Sequence, residues 1–166
     1  MTGYHSTVPT PAGPFSMLVT DDAVLASGFT DRLDDLLALV HPSLRPATVV
    51  SRTDLGEVTK AVLSYLDGDL TAPATVPVRQ RGGPFLTTAW NTLREVPPGA
   101  PVTYTELAAL AGRPTAIRAA TQACARNAAA LFVPCHRVIR VGGGLGGFRW
   151  GLAAKRWLLD HEAGPH

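Results

Sequence analysis

The sequence predicts an α/β protein of the α+β kind, with a small N-terminal antiparallel sheet domain followed by a mostly helical C-terminal domain that carries a helix-turn-helix. Three observations point to it. Short β-prone runs alternate with turns up to Phe29. From Pro84 onward, apolar residues recur at helical spacing between sharp stops. Between the two, Thr71 to Gly83 contains Pro73, Pro77 and Gly82-Gly83 and has the composition of a linker, which divides the chain into residues 1–78 and 79–166.

The opening strands are Tyr4 to Val8, Phe15 to Val19 and Val24 to Phe29, separated by Pro9-Thr10-Pro11-Ala12-Gly13-Pro14 and by a turn at Asp21-Asp22. Such spacing makes an antiparallel meander. Asp31 to Arg52 has no clear period. Asp54 with Glu57 predicts a helix start, with Leu55, Val58, Val62 and Leu66 on one face and Gly68 as its stop.

In the second half, Pro84 fits the first turn of a helix whose stripe is Leu86, Ala89, Trp90 and Leu93, ended by Pro97-Pro98-Gly99. Thr103 and Glu106 form a capping box opening a short helix with Leu107, Leu110 and Ala111 inward and Gly112 as its stop. After the Gly112-Arg113-Pro114 corner, Thr115 caps a further helix to about Ala125. The pair is a helix-turn-helix candidate. Ala116, Ala119, Ala120 and Ala123 make one face of the second helix shallow, suited either to close approach to a groove or to tight core packing. Arg118, Gln122 and Arg126 stand on the same helix.

Charge is divided as sharply as structure. Up to Val78 there are four bases and nine acids, a net of −5, whereas from Arg79 onward there are eleven bases and four acids, a net of +7. The arginine-rich half suits a polyanionic partner or a solvated basic surface. No apolar run approaches the roughly 20 residues a bilayer crossing needs, so a soluble, cytoplasmic protein without a membrane partner is expected. Two cysteines, Cys124 and Cys135, are too few for a disulfide framework and lack zinc-site spacing. Each is either a buried apolar residue or a reactive thiol.

Cys135 has the neighbours of a reactive thiol. It lies between the apolar run Ala128 to Val133 and the glycine-rich Gly142 to Gly147, beside His136, Arg137 and Arg140. Only the thiolate is nucleophilic, so nearby cations or a base must help remove its proton. In extended backbone Cys135 and His136 would point to opposite faces. A turned backbone or a bridging water is therefore required.

The run Pro134-Cys135-His136-Arg137-Val138-Ile139 resembles the active-site motif of the O6-alkylguanine-DNA alkyltransferases, the methylated-DNA-protein cysteine methyltransferases. The resemblance extends from about Phe85 to Glu162, through Trp90, Tyr104, Leu107-Ala108, Arg118-Ala119, Asn127, Gly147-Phe148-Arg149-Trp150-Gly151 and His161-Glu162. The N-terminal half is similar more loosely, through its strand-turn-strand opening and Tyr65-Leu66-Asp67-Gly68-Asp69-Leu70. The resemblance implies an RNase H-like first domain and a winged-helix-like second one.

It also implies a function: irreversible, stoichiometric transfer of an alkyl group from O6-alkylguanine in duplex DNA to Cys135 after base flipping, with O4-alkylthymine as a candidate second substrate. His136 would take the thiol proton through a water, Glu162 would orient His136, and Asn127 would brace the turn before the active-site segment. Tyr104 would sit at the neighbouring phosphate and protonate the leaving guanine at N3. Arg118 would replace the flipped base, with Thr115, Ala119, Thr121 and Arg126 completing a surface in the minor groove. The base pocket would be lined by Tyr104, Val138, Phe148 and Arg149, with the Cys135 and Val138 carbonyls on the guanine amino group and the Arg149 amide facing O6. A monomer without cofactor or metal is implied, since the first half has no cysteine for the zinc that some relatives carry.

Several positions depart from the family's pattern. Phe148 stands where tyrosine is usual, Leu86 where glutamine is frequent, and Ile117 and Thr121 make the groove-facing helix bulkier. The glycine-rich loop predicts a flexible pocket wall that admits adducts larger than methyl. Rival readings are an alkyltransferase-like damage-binding protein, against which Cys135 itself argues, and a cysteine hydrolase, which would need a base from elsewhere and an oxyanion site. A third, a transcription regulator built on the helix-turn-helix, lacks a sensory cysteine segment in this sequence.

Overall fold

The computed structural model describes residues 1–21 and 23–164. The chain forms two compact units, one of residues 1–81 with 128–132 and the other of residues 82–127 with 133–166. The first division falls three residues after the expected Val78. The second unit is interrupted, because Ala128 to Phe132 belongs with the sheet.

The first unit is built on β1 (Thr2–Val8), β2 (Phe15–Thr20) and β3 (Ala23–Gly28), paired antiparallel with Tyr4 opposite Val19 and Ser16 opposite Gly28. The Pro-rich turn closes through reciprocal Thr10–Gly13 backbone bonds, with Gly13 at φ +112, a conformation that glycine adopts without a Cβ clash. The expected turn at Asp21-Asp22 falls on residue 22, which lies outside the described residues. All six residues of β2 and of β3 are buried, so both faces of these strands are covered.

The stretch without a clear period supplies three further elements: α1 (Leu33–Leu37), a 3₁₀ turn at Pro42–Leu44, and β4 (Thr48–Ser51). β4 lies parallel to β1, giving a four-stranded sheet in the order β3-β2-β1-β4. The meander is antiparallel as expected, but the whole sheet is mixed. Short, largely exposed β4 carries too few apolar residues to announce itself.

α2 (Glu57–Leu66) begins three residues later than its sequence signal. Asp54 accepts the Gly56 amide at 2.8 Å instead of capping the helix, and Thr59 Oγ1 accepts the Leu55 amide at 2.8 Å. Its buried face is Val58, Thr59, Ala61, Val62 and Tyr65. The expected linker is also more ordered than its composition suggests: the Pro77 carbonyl and the Arg79 amide bond Val24 at 2.9 Å each. The apolar run after Asn127 is explained in the same way. Ser27 donates through its amide to the Ala128 carbonyl at 2.9 Å and through its hydroxyl to the Ala130 carbonyl at 2.6 Å, docking 128–132 on the edge of β3.

The second unit contains α3 (Pro84–Leu93), β5 (Val102–Thr103), α4 (Tyr104–Leu110), α5 (Ile117–Ala125), β6 (Val138–Ile139) and α6 (Leu152–Ala163). Helices α3, α4 and α5 pack on one another around Leu93, Leu107, Ala108, Ala120 and Ala123, all fully buried. The Trp90 indole donates to the Ala123 carbonyl at 2.9 Å, so the tryptophan is packed and hydrogen-bonded at once. The capping box at α4 is complete: Thr103 Oγ1 accepts the Glu106 amide at 3.1 Å and Glu106 accepts the Thr103 amide at 3.0 Å.

Two details of the helix-turn-helix differ from expectation. Leu110 is 60% exposed rather than inward, because α4 ends there and turns through Gly112 at φ +88. Thr115 does not cap α5; Ala116 occupies that place, without a side-chain bond.

Candidate active site

Helix α5 presents two unlike faces. Ala120 and Ala123 are fully buried against α3 and α4, which places the alanine stripe largely in the core rather than on a free groove-facing surface. The exposed face comprises Ile117, Arg118, Thr121, Gln122, Ala125 and Arg126, with Ala119 half-buried and Thr115 exposed just before the helix. The Thr121 hydroxyl donates to the Ile117 carbonyl at 3.1 Å, one turn back in its own helix. Arg118 and Arg126 thus stand with Thr115 and Thr121 in solvent, while Ala119 sits at the margin of the core.

After Phe132 the chain returns to the second unit and reaches Cys135 through a turn. Residues Cys135–Arg137 form a 3₁₀ segment, all three buried, followed at once by β6, which pairs parallel with β5 so that Val102 faces Val138. The turned backbone removes the conflict that extended geometry would impose on Cys135 and His136. Asn127 braces the approach: its Nδ2 donates to the Val133 carbonyl at 2.8 Å.

His136 Nε2 and Glu162 Oε2 lie 2.6 Å apart, with the two side chains 0% and 1% exposed. Glu162 also takes Arg137, accepting from Nε at 2.7 Å and Nη2 at 3.1 Å, while Arg137 Nη1 donates to the Val96 carbonyl at 2.8 Å. Burial alone would raise the Glu162 pKa, but its hydrogen bonds with His136 and Arg137 and the Arg137 charge bring it down to about 2. Burial pushes His136 down, against the pull of Glu162, so the ring is neutral at physiological pH. A neutral ring that donates from Nε2 to a carboxylate leaves the Nδ1 lone pair to accept a proton. Nδ1 is buried and makes no hydrogen bond among the described residues.

The Cys135 thiol is raised by burial and drawn back by a hydrogen bond from Asn127 and by the charges of Lys155 and Arg149. Tyr104, half-buried at the start of α4, is raised by burial and then by the Cys124 and Cys135 thiols. Its phenol therefore remains protonated and able to donate. The loop from Arg140 to Gly147 borders this site. It is closed by bonds from the Arg140 amide to the Gly144 carbonyl at 2.7 Å and from the Gly143 amide to the Arg140 carbonyl at 3.0 Å. Gly146 has φ +74, and a Cβ there would lie 2.7 Å from the Tyr104 hydroxyl.

Of the expected pocket residues, Val138 is buried, Phe148 half-buried and Arg149 exposed. The Arg149 guanidinium donates to the Ala125 carbonyl at the end of α5. The Val138 carbonyl already accepts Lys155 Nζ at 2.7 Å, and a carbonyl oxygen has a second lone pair for a further donor.

Sequence reasoning left Lys155 and the second role of Glu162 unassigned. Glu162 was marked by the family resemblance, whereas the signal for Lys155 was its period: Lys155, Leu158 and Glu162 share one face of α6 at spacings of three and four. Among the described residues no group of three or more His, Cys, Asp or Glu side chains could hold a metal ion. No helix among them is long and apolar enough to cross a membrane.

Comparison with known proteins identifies the family. Residues 84–164 match the family described as 6-O-methylguanine DNA methyltransferase, DNA binding domain. The methylated-DNA-protein-cysteine methyltransferase of Salmonella typhimurium is 35% identical over 159 residues, spanning 93% of this chain and 92% of that protein. The bifunctional transcriptional activator/DNA repair enzyme Ada of Escherichia coli is 46% identical over 91 residues, covering 55% of this chain but 26% of Ada. The crystal structure of Mycobacterium tuberculosis O6-methylguanine methyltransferase superposes with a TM-score of 0.77 at 27% identity, covering 97% of this chain and 93% of that one. The buried Cys-His turn anchored by Glu162 is thus found in a chain that belongs to the methylated-DNA-protein-cysteine methyltransferase family.

Proposed function

We propose that the protein repairs alkylated DNA directly, moving an alkyl group from O6 of guanine to Cys135 in a single irreversible turnover, with O4 of thymine as a candidate second donor. The observation that carries this reading is the buried His136–Glu162 pair, with His136 in the same turn as the thiol and its Nδ1 without a hydrogen-bond partner among the described residues. In this reaction the thiol proton passes through a water to His136, and the thiolate sulfur bonds to the alkyl carbon as the carbon–oxygen bond breaks. The departing guanine gains negative charge and takes a proton at N3 from the Tyr104 phenol. The thioether product has no leaving group that water can readily displace, so one molecule repairs one lesion.

Asn127 holds the turn that delivers Cys135. Tyr104, Val138, Phe148 and Arg149 form the base pocket, with Phe148 stacking on the base without the hydroxyl of the usual tyrosine. Extrusion of the base from the duplex costs a few kcal/mol, and Arg118 fills the space it leaves. The exposed face of α5 supports a DNA surface made of Arg118, Thr121 and Arg126, with Thr115 and Ala119 at its edge, applied to the minor groove. The protein acts as a cytoplasmic monomer, residues 79–166 carrying DNA binding and alkyl transfer and residues 1–78 forming a separate N-terminal domain.

Incubation with an oligonucleotide containing O6-methylguanine, followed by intact mass measurement, tests the reading. The wild type gains one methyl group and Cys135→Ser gains none. Tight binding with unchanged mass would replace transfer by damage recognition without repair.

A further inference from the structure

Lys155 is fully buried, yet among the described residues it forms no ion pair with a carboxylate. Its Nζ donates to two carbonyls, Val138 at 2.7 Å and Gly147 at 3.2 Å. The first lies on β6, three residues after the acceptor cysteine; the second ends the glycine-rich loop. One ammonium group therefore ties together two segments that border the thiol. A buried cation held only by carbonyl dipoles remains costly unless an anion is near. Glu162, on the same helix face, is engaged by His136 and Arg137.

The anion that can form beside Lys155 is the thiolate itself. The charged and titratable groups facing Cys135 are Lys155 on α6, Arg149 on the segment before it, Tyr104 on α4, Cys124 on α5 and the adjoining His136 with Glu162 behind it. Those facing Lys155 are Cys135, Cys124, Arg140 and His136. His136 is neutral, and Arg149 is exposed with its guanidinium on the Ala125 carbonyl. Lys155 is the buried cation of the set.

Building on the alkyl-transfer reading, we propose that Lys155 is a positioning residue that also acts electrostatically. It clamps the Val138 and Gly147 carbonyls and holds a buried positive charge that stabilises the Cys135 thiolate. Transfer turns that thiolate into a neutral thioether, so Lys155 loses its counter-charge when the protein reacts.

The test follows the alkylation rate of Cys135 against pH with free O6-benzylguanine and, separately, with iodoacetamide, in a Cys124→Ser background so that one thiol is read. Lys155→Gln retains N–H donors for the two carbonyls but no charge, and Lys155→Arg retains the charge. The Gln variant shifts the rate profile up by about one pH unit, read as about tenfold slower reaction at neutral pH; the Arg variant keeps the original midpoint. A Gln profile that coincides with the parent overturns the proposal, as does an equal shift in both variants. If Lys155→Gln does not fold, the parent protein decides the matter by ¹³C NMR of the Lys155 Cε. Its titration midpoint falls when Cys135 is capped with iodoacetamide, whereas an unmoved midpoint refutes the charge pairing. Iodoacetamide reports on the thiol whatever the substrate. Failure of O6-benzylguanine alone therefore counts against alkyl transfer, and a failed shift with both reagents counts against Lys155.

Discussion

His136 and Glu162 come from segments 26 residues apart in sequence and meet at 2.6 Å without solvent, Glu162 being shared at the same time with Arg137. The carboxylate thus fixes the histidine tautomer, since it can only accept, and so decides which ring nitrogen is left without a proton.

Glu162→Gln should slow alkyl transfer by about tenfold or more, because the amide can donate to His136 and allow the opposite tautomer. Single-turnover kinetics with an O6-methylguanine oligonucleotide measures this. Retention of the full rate would leave Glu162 a purely structural partner.

The same residue makes stability depend on acid. Its folded pKa, about 2, lies below the ordinary carboxylate value of 4.5. Its contribution is therefore complete above the unfolded value and is lost as pH falls from about 5 towards 2. A shift of this size corresponds to something on the order of 3 kcal/mol. Chemical denaturation between pH 7 and 2.5 should show a shallower loss in Glu162→Gln than in the wild type.

Gly146→Ala should impair the site from outside the thiol. The new methyl group would meet the Tyr104 hydroxyl at 2.7 Å, and the backbone at φ +74 disfavours any side chain. Either Tyr104 or the loop must move, so transfer from DNA should slow by about tenfold with little change in thermal stability. Tyr104→Phe serves as the comparison, and an unaffected Gly146→Ala enzyme would show that Tyr104 need not keep this position.

Arg118→Ala should lower the rate on duplex DNA much more than the rate on free O6-benzylguanine, because only the duplex requires a space to be filled after base extrusion. Equal losses on both substrates would remove Arg118 from that role.

Trp90→Phe should destabilise the second unit by about 1–3 kcal/mol, since the buried Ala123 carbonyl loses its indole donor. Urea denaturation reads this directly. A neutral result would mean that the carbonyl finds another partner.

Elements whose causes are local were legible from the chain alone. Thr103 and Glu106 are near enough to form their capping box in any context, Gly112 ends its helix through its own backbone freedom, and the opening meander follows from β-prone runs between turn residues. The run around Cys135 pointed to chemistry through its resemblance to the family's motif, since thiol and histidine side by side in extended backbone would face apart. Where signals competed, local reading failed. Asp54 carried a cap signature but turned onto Gly56, and the alanine stripe of α5 described a narrow helix face without saying that α3 and α4 cover it.

Which distant groups meet was settled by packing in three dimensions. The parallel pairing of β4 with β1, the docking of 128–132 on β3, the sharing of Glu162 between His136 and Arg137, and the bond from buried Lys155 to the Val138 carbonyl all join residues in different elements of the chain. A periodic pattern tells which side chains share a face. Which groups that face meets depends on long-range packing and on satisfying buried polar atoms, and neither is written in any single segment.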